Sequence, residues 1–271
     1  MKTALLFDQG MIARTDHFSP FALTDVLTTY AGEKDQPMIH FWQLSQTLIL
    51  GMKDSRVPYL NQGLQAIQAA GYYPLLRNAG GLGVVSDAGI LNVSLILPKE
   101  SINPLSIDDG YQTMLDWLNR TSFGKANITA GEVADSYCPG KFDLSINDKK
   151  IAGIAQRRVK EGVAIMMYLS VSGDQKYRGE LVRSFYQAGL EEAFGTLGYP
   201  AVNPESMTTL SDVFKKELSI AEVKEQLLQG IDFTDATSRL PEFYQTEEYQ
   251  QRLKNMYQRN TGIQEELHDK L

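Results

Sequence analysis

The chain has 271 residues and carries 26 Lys plus Arg against 33 Asp plus Glu, so its net charge of −7 argues against an electrostatic grip on nucleic acid. Hydrophobic residues make up 43%, charged residues 22% and aromatic residues 10%, which suits a globular chain with a large core and excludes a disordered or collagen-like one. The single cysteine, Cys138, rules out an intramolecular disulfide and a Cys-rich metal site. The scattered His17, His40 and His268 argue against a multi-histidine zinc site.

In chain order, the N-terminal MKTALLFDQG lacks the long apolar core of a signal peptide, and no stretch approaches the roughly 18 apolar residues that span a bilayer. A soluble, cytoplasmic protein that does not enter a membrane is expected. A helix is predicted around Pro20 to Tyr30, then one or two strands over Met38 to Met52. The next helix runs from Arg56 to Ala70, with Leu60, Leu64 and Ile67 on one face. Between Tyr73 and Pro98 the pattern turns to the short β-type runs PLLR, GVV and ILNVSLIL, punctuated by turn signals at Asn78 to Gly81 and Asp87 to Gly89.

Ile107 to Asn119 is again helix-like. Three strands follow, FDLSI, KIAGIAQRR and GVAIMMYLSV, with Asn147-Asp148 as the hairpin turn between the first two. A long helix is predicted from Tyr177 to about Phe194. Beyond Tyr199 only helices are expected, one of them opened by the capping box Ser219-x-x-Glu222 ahead of Val223, Leu227 and Leu228. Hairpins in place of regular βαβ alternation predict an α+β core, a mixed and mostly antiparallel sheet with flanking helices. The expected division is an N-terminal segment over 1–34, a catalytic domain over 35–199 and a solvated helical appendage over 200–271.

Three segments carry residues suited to chemistry. In RNAGGLG, Gly80 and Gly81 let backbone approach a ligand closely and Arg77 can hold a carbonyl, carboxylate or phosphate oxygen, although such a loop is more often merely a turn. In SYCPG, the Pro-Gly pair places Cys138 at the end of a strand or loop, where it is either a small buried hydrophobe or a nucleophile. In KKIAGIAQRR, strand alternation puts Lys150, Ala152, Ile154 and Gln156 on one face and Ile151, Gly153, Ala155 and Arg157 on the other. Lys150 is then either an edge-strand lysine or an amine held inside a pocket.

Taken together, RNAGGLGVVSDAGILNVSLILP, SYCPGKFDLSIND and KKIAGIAQRR resemble the biotin/lipoate protein ligase superfamily over about Asp35 to Tyr199. With LILGMKDSRVPYL, they are similar to its octanoyl-[glycine-cleavage H protein]:protein N-octanoyltransferase (lipoyl amidotransferase) family. The resemblance implies a core like that of class II aminoacyl-tRNA synthetases and biotin ligases, and an acyl-thioester on Cys138. Lys150 would contact the acyl carbonyl and favour the thiolate, and Arg77, Gly80, Gly81 and Gly153 would bind substrate. It implies H protein as donor, E2 lipoyl domains as acceptors, an octanoyl or lipoyl cargo, and no cofactor, metal or nucleic acid.

Two departures from ATP-using ligases, Leu82 at the third glycine and Ser86 at a usual histidine, count against nucleotide use, Leu82 by placing a branched side chain where backbone would meet ligand. The alternatives are an octanoyl-acyl-carrier-protein transferase, an ATP-dependent lipoate ligase and a non-catalytic carrier-binding protein. For the acyl chain, Val84, Val85, Ile90 and Leu91 are candidates for a slot, with plain sheet core as their default role. Arg157, Arg158 and Lys160 form a dense basic group beside the suspected site.

Overall fold

The computed structural model describes residues 2–99 and 106–267; His268 lies outside them. Eight of the described strands form one mixed sheet, and three form a second. The large sheet contains β1 (Ala4–Ile12), β2 (Met38–Leu44), β6 (Ile90–Pro98), β7 (Thr129–Ala130), β8 (Leu144–Ile146), β9 (Lys149–Val159), β10 (Gly162–Ser170) and β11 (Phe233–Asp235). Their order is β11-β1-β2-β6-β10-β9-β8-β7, with β1 parallel to both of its neighbours and every other pairing antiparallel. The small sheet is β4 (Tyr73–Leu76), β3 (Thr47–Leu50) and β5 (Val84–Ser86), in that order.

The helices are α1 (Ser19–Lys34), α2 (Leu60–Ala69), α3 (Ile107–Arg120), α4 (Gln175–Leu190), α5 (Leu210–Phe214), α6 (Ile220–Leu228), α7 (Leu240–Tyr244) and α8 (Glu247–Glu266). Helix α1 starts with Pro20 in its first turn, where the missing N–H costs nothing, and ends at Asp35 in the left-handed conformation, φ 50°. It is buried almost all round because β6 and β10 cover one side and α8 another. Among the described residues, no helix is long and apolar enough to cross a membrane.

The fold is the α+β core with a mixed, mostly antiparallel sheet that the hairpin signals predict. The Asn147-Asp148 turn is present with both residues at positive φ, 50° and 60°, as a two-residue hairpin of the favoured hand requires. Two local readings are corrected. The segment after Tyr199 is not purely helical, since β11 pairs in parallel with β1; its three residues are all exposed, so no apolar alternation marks it. The strict alternation along KKIAGIAQRR also fails. Ser145 faces Lys150 and Leu144 faces Ala152, leaving Ile151 as an extra residue, and this bulge breaks the period just after the lysine.

The outer segments support the centre. The Lys150 end of β9 extends past its last pair with β10, Leu169↔Ala152, and there Met207 bridges to Lys150 while the Thr208 N–H donates to the Lys150 carbonyl at 2.9 Å. On α8, Asn260 is buried and bonds both backbone groups of Leu76, accepting from its N–H at 2.7 Å and donating to its carbonyl at 3.0 Å. This seals the edge of β4 one residue before Arg77.

Two buried histidines give a pH prediction. Burial lowers His40 from the usual 6.5 to about 3, and burial with the nearby Arg14 charge lowers His17 to about 4. Above pH 6.5 neither state binds the proton; as pH falls below it, the unfolded chain protonates and the native one does not, so stability declines until the native values are reached. Burial raises Asp54 from 3.8 to about 6, which acts in the opposite sense over a narrower window. The urea midpoint is therefore expected to fall between pH 7.5 and pH 5, less steeply in His40→Gln; an unchanged midpoint would contradict this.

Candidate active site

Cys138 sits in the loop between β7 and β8, half-buried, with its thiol facing a cavity of about 320 Å³. Its φ is 49°, a left-handed conformation that a side-chain-bearing residue rarely adopts, and Pro139 restricts it further. Such a position costs on the order of 1–3 kcal/mol and persists only where surrounding contacts impose it. Here the contacts come from Lys150 and Asp143.

Lys150 is 1% exposed and Asp143 2%. The Lys150 ammonium donates to the carbonyls of Tyr137 at 2.9 Å and Cys138 at 2.8 Å, meets the Ser136 hydroxyl at 3.2 Å, and pairs with Asp143 Oδ1 at 2.9 Å. Asp143 Oδ2 accepts from the N–H groups of Gly140 at 3.1 Å and Val133 at 3.3 Å. A single buried ion pair thus fixes both sides of the cysteine. Burial pushes the Asp143 carboxyl up, with the Lys150 charge and these hydrogen bonds opposing. The ammonium therefore rests on the Cys138 carbonyl oxygen.

The neighbours of the sulfur come from the glycine turn instead. The Leu82 N–H donates to Cys138 Sγ at 3.3 Å, and Arg77 Nη2 lies 3.9 Å away. Arg77 is itself held by the Gly80 carbonyl, which accepts from Nη2 at 2.7 Å. Fully buried Asp54 braces the turn from behind: Oδ2 accepts from Gly51 N–H at 2.7 Å and Oδ1 from the Tyr186 hydroxyl at 2.8 Å, whose oxygen accepts from Gly83 N–H at 3.4 Å. Gly81 has φ +87°, and a Cβ on it would lie 2.6 Å from Arg77 Nη2 and 3.4 Å from Cys138 Sγ. Gly81→Ala should therefore keep the fold but lower any turnover at this site at least about tenfold, since misplacing a reacting group by an ångström is costly. Comparing its turnover and melting curve with the parent checks this; full activity would contradict it.

Arg77, Gly80, Gly81, Cys138 and Gly153 line this same cavity, and Lys150 lies behind its cysteine. The apolar wall comes from Phe21, Trp42, Ile49, Val84, Val93 and Met167. Of the four residues considered for the acyl slot, only Val84 is on that wall; Val85, Ile90 and Leu91 are fully buried sheet core. The steric expectation for Leu82 is also corrected. Its side chain is 8% exposed and packs into the core, so the turn presents backbone to the cavity and only the leucine N–H faces the thiol.

Part of the lining is polar. Asp25 on α1 accepts from both Nε and Nη2 of Arg157, the latter at 2.7 Å, and from Asn78 Nδ2 at 3.2 Å, and it meets Arg252 of α8 at 3.6 Å. Arg157 also donates to the Asn78 carbonyl at 3.0 Å. The basic group seen in sequence is thus partly neutralised: Arg157 serves Asp25, and Lys160 pairs with Glu33 at 3.1 Å. Asp87 pairs with Arg178 at 2.6 Å, in keeping with a turn residue. Sequence reasoning missed Asp25, Asp143, Arg252 and Asn260. Each is an ordinary polar residue whose partner lies far along the chain or, for Asp143, across a hairpin, and no local pattern marks such pairs.

A thiol beside two N–H donors, in a cavity with an apolar wall and a border of backbone glycines, makes this the candidate site of the fold. The lipoyl protein ligase A/B catalytic domain family matches residues 16–232. An Octanoyl-[GcvH]:protein N-octanoyltransferase of Lysinibacillus sphaericus is 38% identical over 266 residues, 96% of this chain and 95% of that protein. Its counterpart in Exiguobacterium sibiricum is 42% identical over 217 residues, 79% of this chain and 78% of the other. The bi-partite lipoate protein ligase of Thermoplasma acidophilum shares the fold, with a TM-score of 0.65 at 19% identity over 95% of this chain and 92% of that one. The chain belongs to the lipoyl protein ligase A/B catalytic-domain family and, within it, to the octanoyl-[GcvH]:protein N-octanoyltransferases.

Proposed function

We propose that this acyltransferase moves an octanoyl, or lipoyl, group from the glycine-cleavage H protein to the lipoyl-domain lysine of 2-oxoacid dehydrogenase E2 subunits, through a thioester on Cys138. The observation that carries this reading is the placement of the thiol: Sγ faces the cavity with the Leu82 N–H at 3.3 Å and Arg77 Nη2 at 3.9 Å.

In the first half, the Cys138 sulfur attacks the carbonyl carbon of the octanoyl amide on the donor lysine. The C–S bond forms, the C–N bond breaks, and the departing amine takes a proton. In the second half the acceptor amine attacks the thioester, loses a proton and releases the sulfur. Both halves pass through an oxyanion on the acyl carbon. The Leu82 N–H and the Arg77 guanidinium are the donors placed to meet it, and one such donor contributes about 2.7–4 kcal/mol to lowering the barrier. Lys150 and Asp143 hold the loop so that the sulfur keeps this aim.

The apolar wall selects the cargo. Burying an eight-carbon chain at about 0.8 kcal/mol per CH₂ supplies on the order of 5 kcal/mol. The cavity volume falls at the small end of the ~300–1,000 Å³ usual for ligand sites, which suits a slender chain. Amide-to-amide exchange is nearly balanced in free energy and needs no nucleotide.

The test offers octanoylated H protein, octanoyl acyl carrier protein, or octanoate with ATP, each beside a lipoyl-domain acceptor. Transfer from H protein without ATP is expected. Transfer only from the carrier protein would make this a thioester transferase, and ATP-dependent use of the free acid would make it a ligase.

A further inference from the structure

The segment LILGMKDSRVPYL, residues 48–60, supplies neither the nucleophile nor an N–H donor to it, yet its Gly51 packs against the glycine turn. The Leu82 N–H and the Gly81 carbonyl belong to one planar peptide unit, so whatever seats that plane sets the direction of the N–H. Gly51 seats it. A Cβ on Gly51 would overlap the Gly81 carbonyl and come within 2.9 Å of the Leu82 nitrogen, so only bare backbone can lie against this peptide.

Asp54 fixes what touches Leu82 on both sides. Its Oδ2 accepts from the Gly51 N–H at 2.7 Å, and its own N–H returns a bond to the Gly51 carbonyl at 3.0 Å, which closes the turn after β3. Its Oδ1 accepts from the Tyr186 hydroxyl at 2.8 Å, and the hydroxyl oxygen accepts at 3.4 Å from the Gly83 N–H, in the peptide unit that follows Leu82. The Leu50 carbonyl shares a peptide plane with the Gly51 N–H and accepts from the Arg77 N–H at 3.0 Å. One carboxylate thus orients both peptides flanking Leu82 and the backbone of Arg77. Asp54 and Tyr186 are fully buried and neither lines the cavity. Burying a carboxylate costs free energy that its hydrogen bonds must offset, and plain core packing would not need it.

We infer that Asp54 is a positioning residue of the transfer: through Gly51 and Tyr186 it aims the Leu82 N–H at the Cys138 sulfur. It touches no substrate and leaves the roles of Cys138 and Lys150 unchanged. Held 3.3 Å from Sγ, the N–H stabilises negative charge on the sulfur before attack and stands beside the acyl oxygen during it. The charged and titratable groups around Asp54 are Tyr186 on α4, Arg77 beyond β4, Lys53 beside it and Tyr199 beyond α4. Around Cys138 they are Arg77, Lys150, Tyr168 on β10 and Tyr186. Asp54→Asn alters none of these neighbours; it exchanges one acceptor oxygen for an NH₂ of nearly the same size.

The test compares Asp54→Asn and Tyr186→Phe, both close to isosteric, with the parent in two assays. The first alkylates Cys138 with iodoacetamide and needs no octanoyl donor. At pH 7 both variants are expected to react about fivefold or more slower, because the thiolate has lost an aligned donor. At pH 10, where thiols ionise with or without such a donor, their rates should agree with the parent within about twofold. The second assay follows steady-state octanoyl transfer from H protein and rests on the thioester reading above. There kcat should fall about tenfold or more while KM stays within about twofold, the split expected when a transition-state contact is lost.

Parent-like rates in both assays would overturn the inference. Alkylation slowed equally at pH 7 and pH 10 would do so too, leaving Asp54 a structural group alone. The two readings fail separately. If the parent forms no octanoyl-Cys138, the thioester reading fails, and the alkylation rates still decide the aim of the N–H; if it forms and both variants match the parent, only this inference does.

Discussion

Cys138→Ser is expected to lower octanoyl transfer at least about 10³-fold while leaving the fold intact and donor binding near that of the parent. The exchange is almost isosteric at a half-buried position, so the loop held by Lys150 and Asp143 has no reason to move. What changes is the nucleophile, because an alcohol is far less readily ionised than a thiol. The Leu82 N–H and Arg77 would still face the substituted atom, yet neither is a base that could take the hydroxyl proton. Parallel assays of steady-state transfer and of H-protein binding check the split. A variant that transfers at a tenth of the normal rate or better would show that the sulfur is not the acyl carrier.

The second large effect falls on stability. Lys150→Met removes an ammonium that bonds two carbonyls, a hydroxyl and a carboxylate in a site 1% exposed, and it strands Asp143 as a buried, unpaired charge. Breaking a buried pair from one side typically costs about 3–5 kcal/mol, which for a chain of this size lowers the melting temperature by roughly 6–20 °C. Replacing both partners with apolar residues of similar volume should recover most of that loss, since a packed apolar pair carries no desolvation penalty. Lys150→Met with Asp143→Leu is thus expected to melt near the parent and yet to transfer no octanoyl group, because the restraints on Cys138 at φ 49° are gone. Recovered activity in the double variant would contradict the role given to this cluster.

These two experiments separate what sequence could and could not reveal. The chemistry-bearing segments were legible because each combines a short turn with an unusual residue: the glycines after Arg77, the Pro-Gly after Cys138, the hairpin before Lys150. Their meeting at one cavity was also legible, through their joint resemblance to a family and not through any one of them. The counter-ion was not. Asp143 lies seven residues before Lys150 across a hairpin and reads as an ordinary strand-flanking acid until folding buries both.

The bulge at Ile151 was hidden for a similar reason. KKIAGIAQRR obeys a two-residue period on paper, and only the pairing of Ser145 with Lys150 and Leu144 with Ala152 shows the extra residue. Strand β1 went unread in ALLFDQGMI, and β11 is too short and too exposed to announce itself. The C-terminal segment illustrates a broader limit. Charge on the surface of α8 suggests a solvated appendage, whereas Asn260 closes the edge of β4 and Arg252 reaches Asp25 at the cavity wall. Such contacts span more than 180 residues and leave no local trace.

The most direct test is intact-protein mass spectrometry after brief mixing with octanoylated H protein, followed by addition of a lipoyl domain. The predicted result is an octanoyl adduct that maps to the peptide holding Cys138, is released by hydroxylamine, and disappears as octanoyl-lysine forms on the lipoyl domain at the same rate. Octanoyl transfer that proceeds at full rate with the thiol alkylated, and with no adduct on the enzyme, would contradict the account.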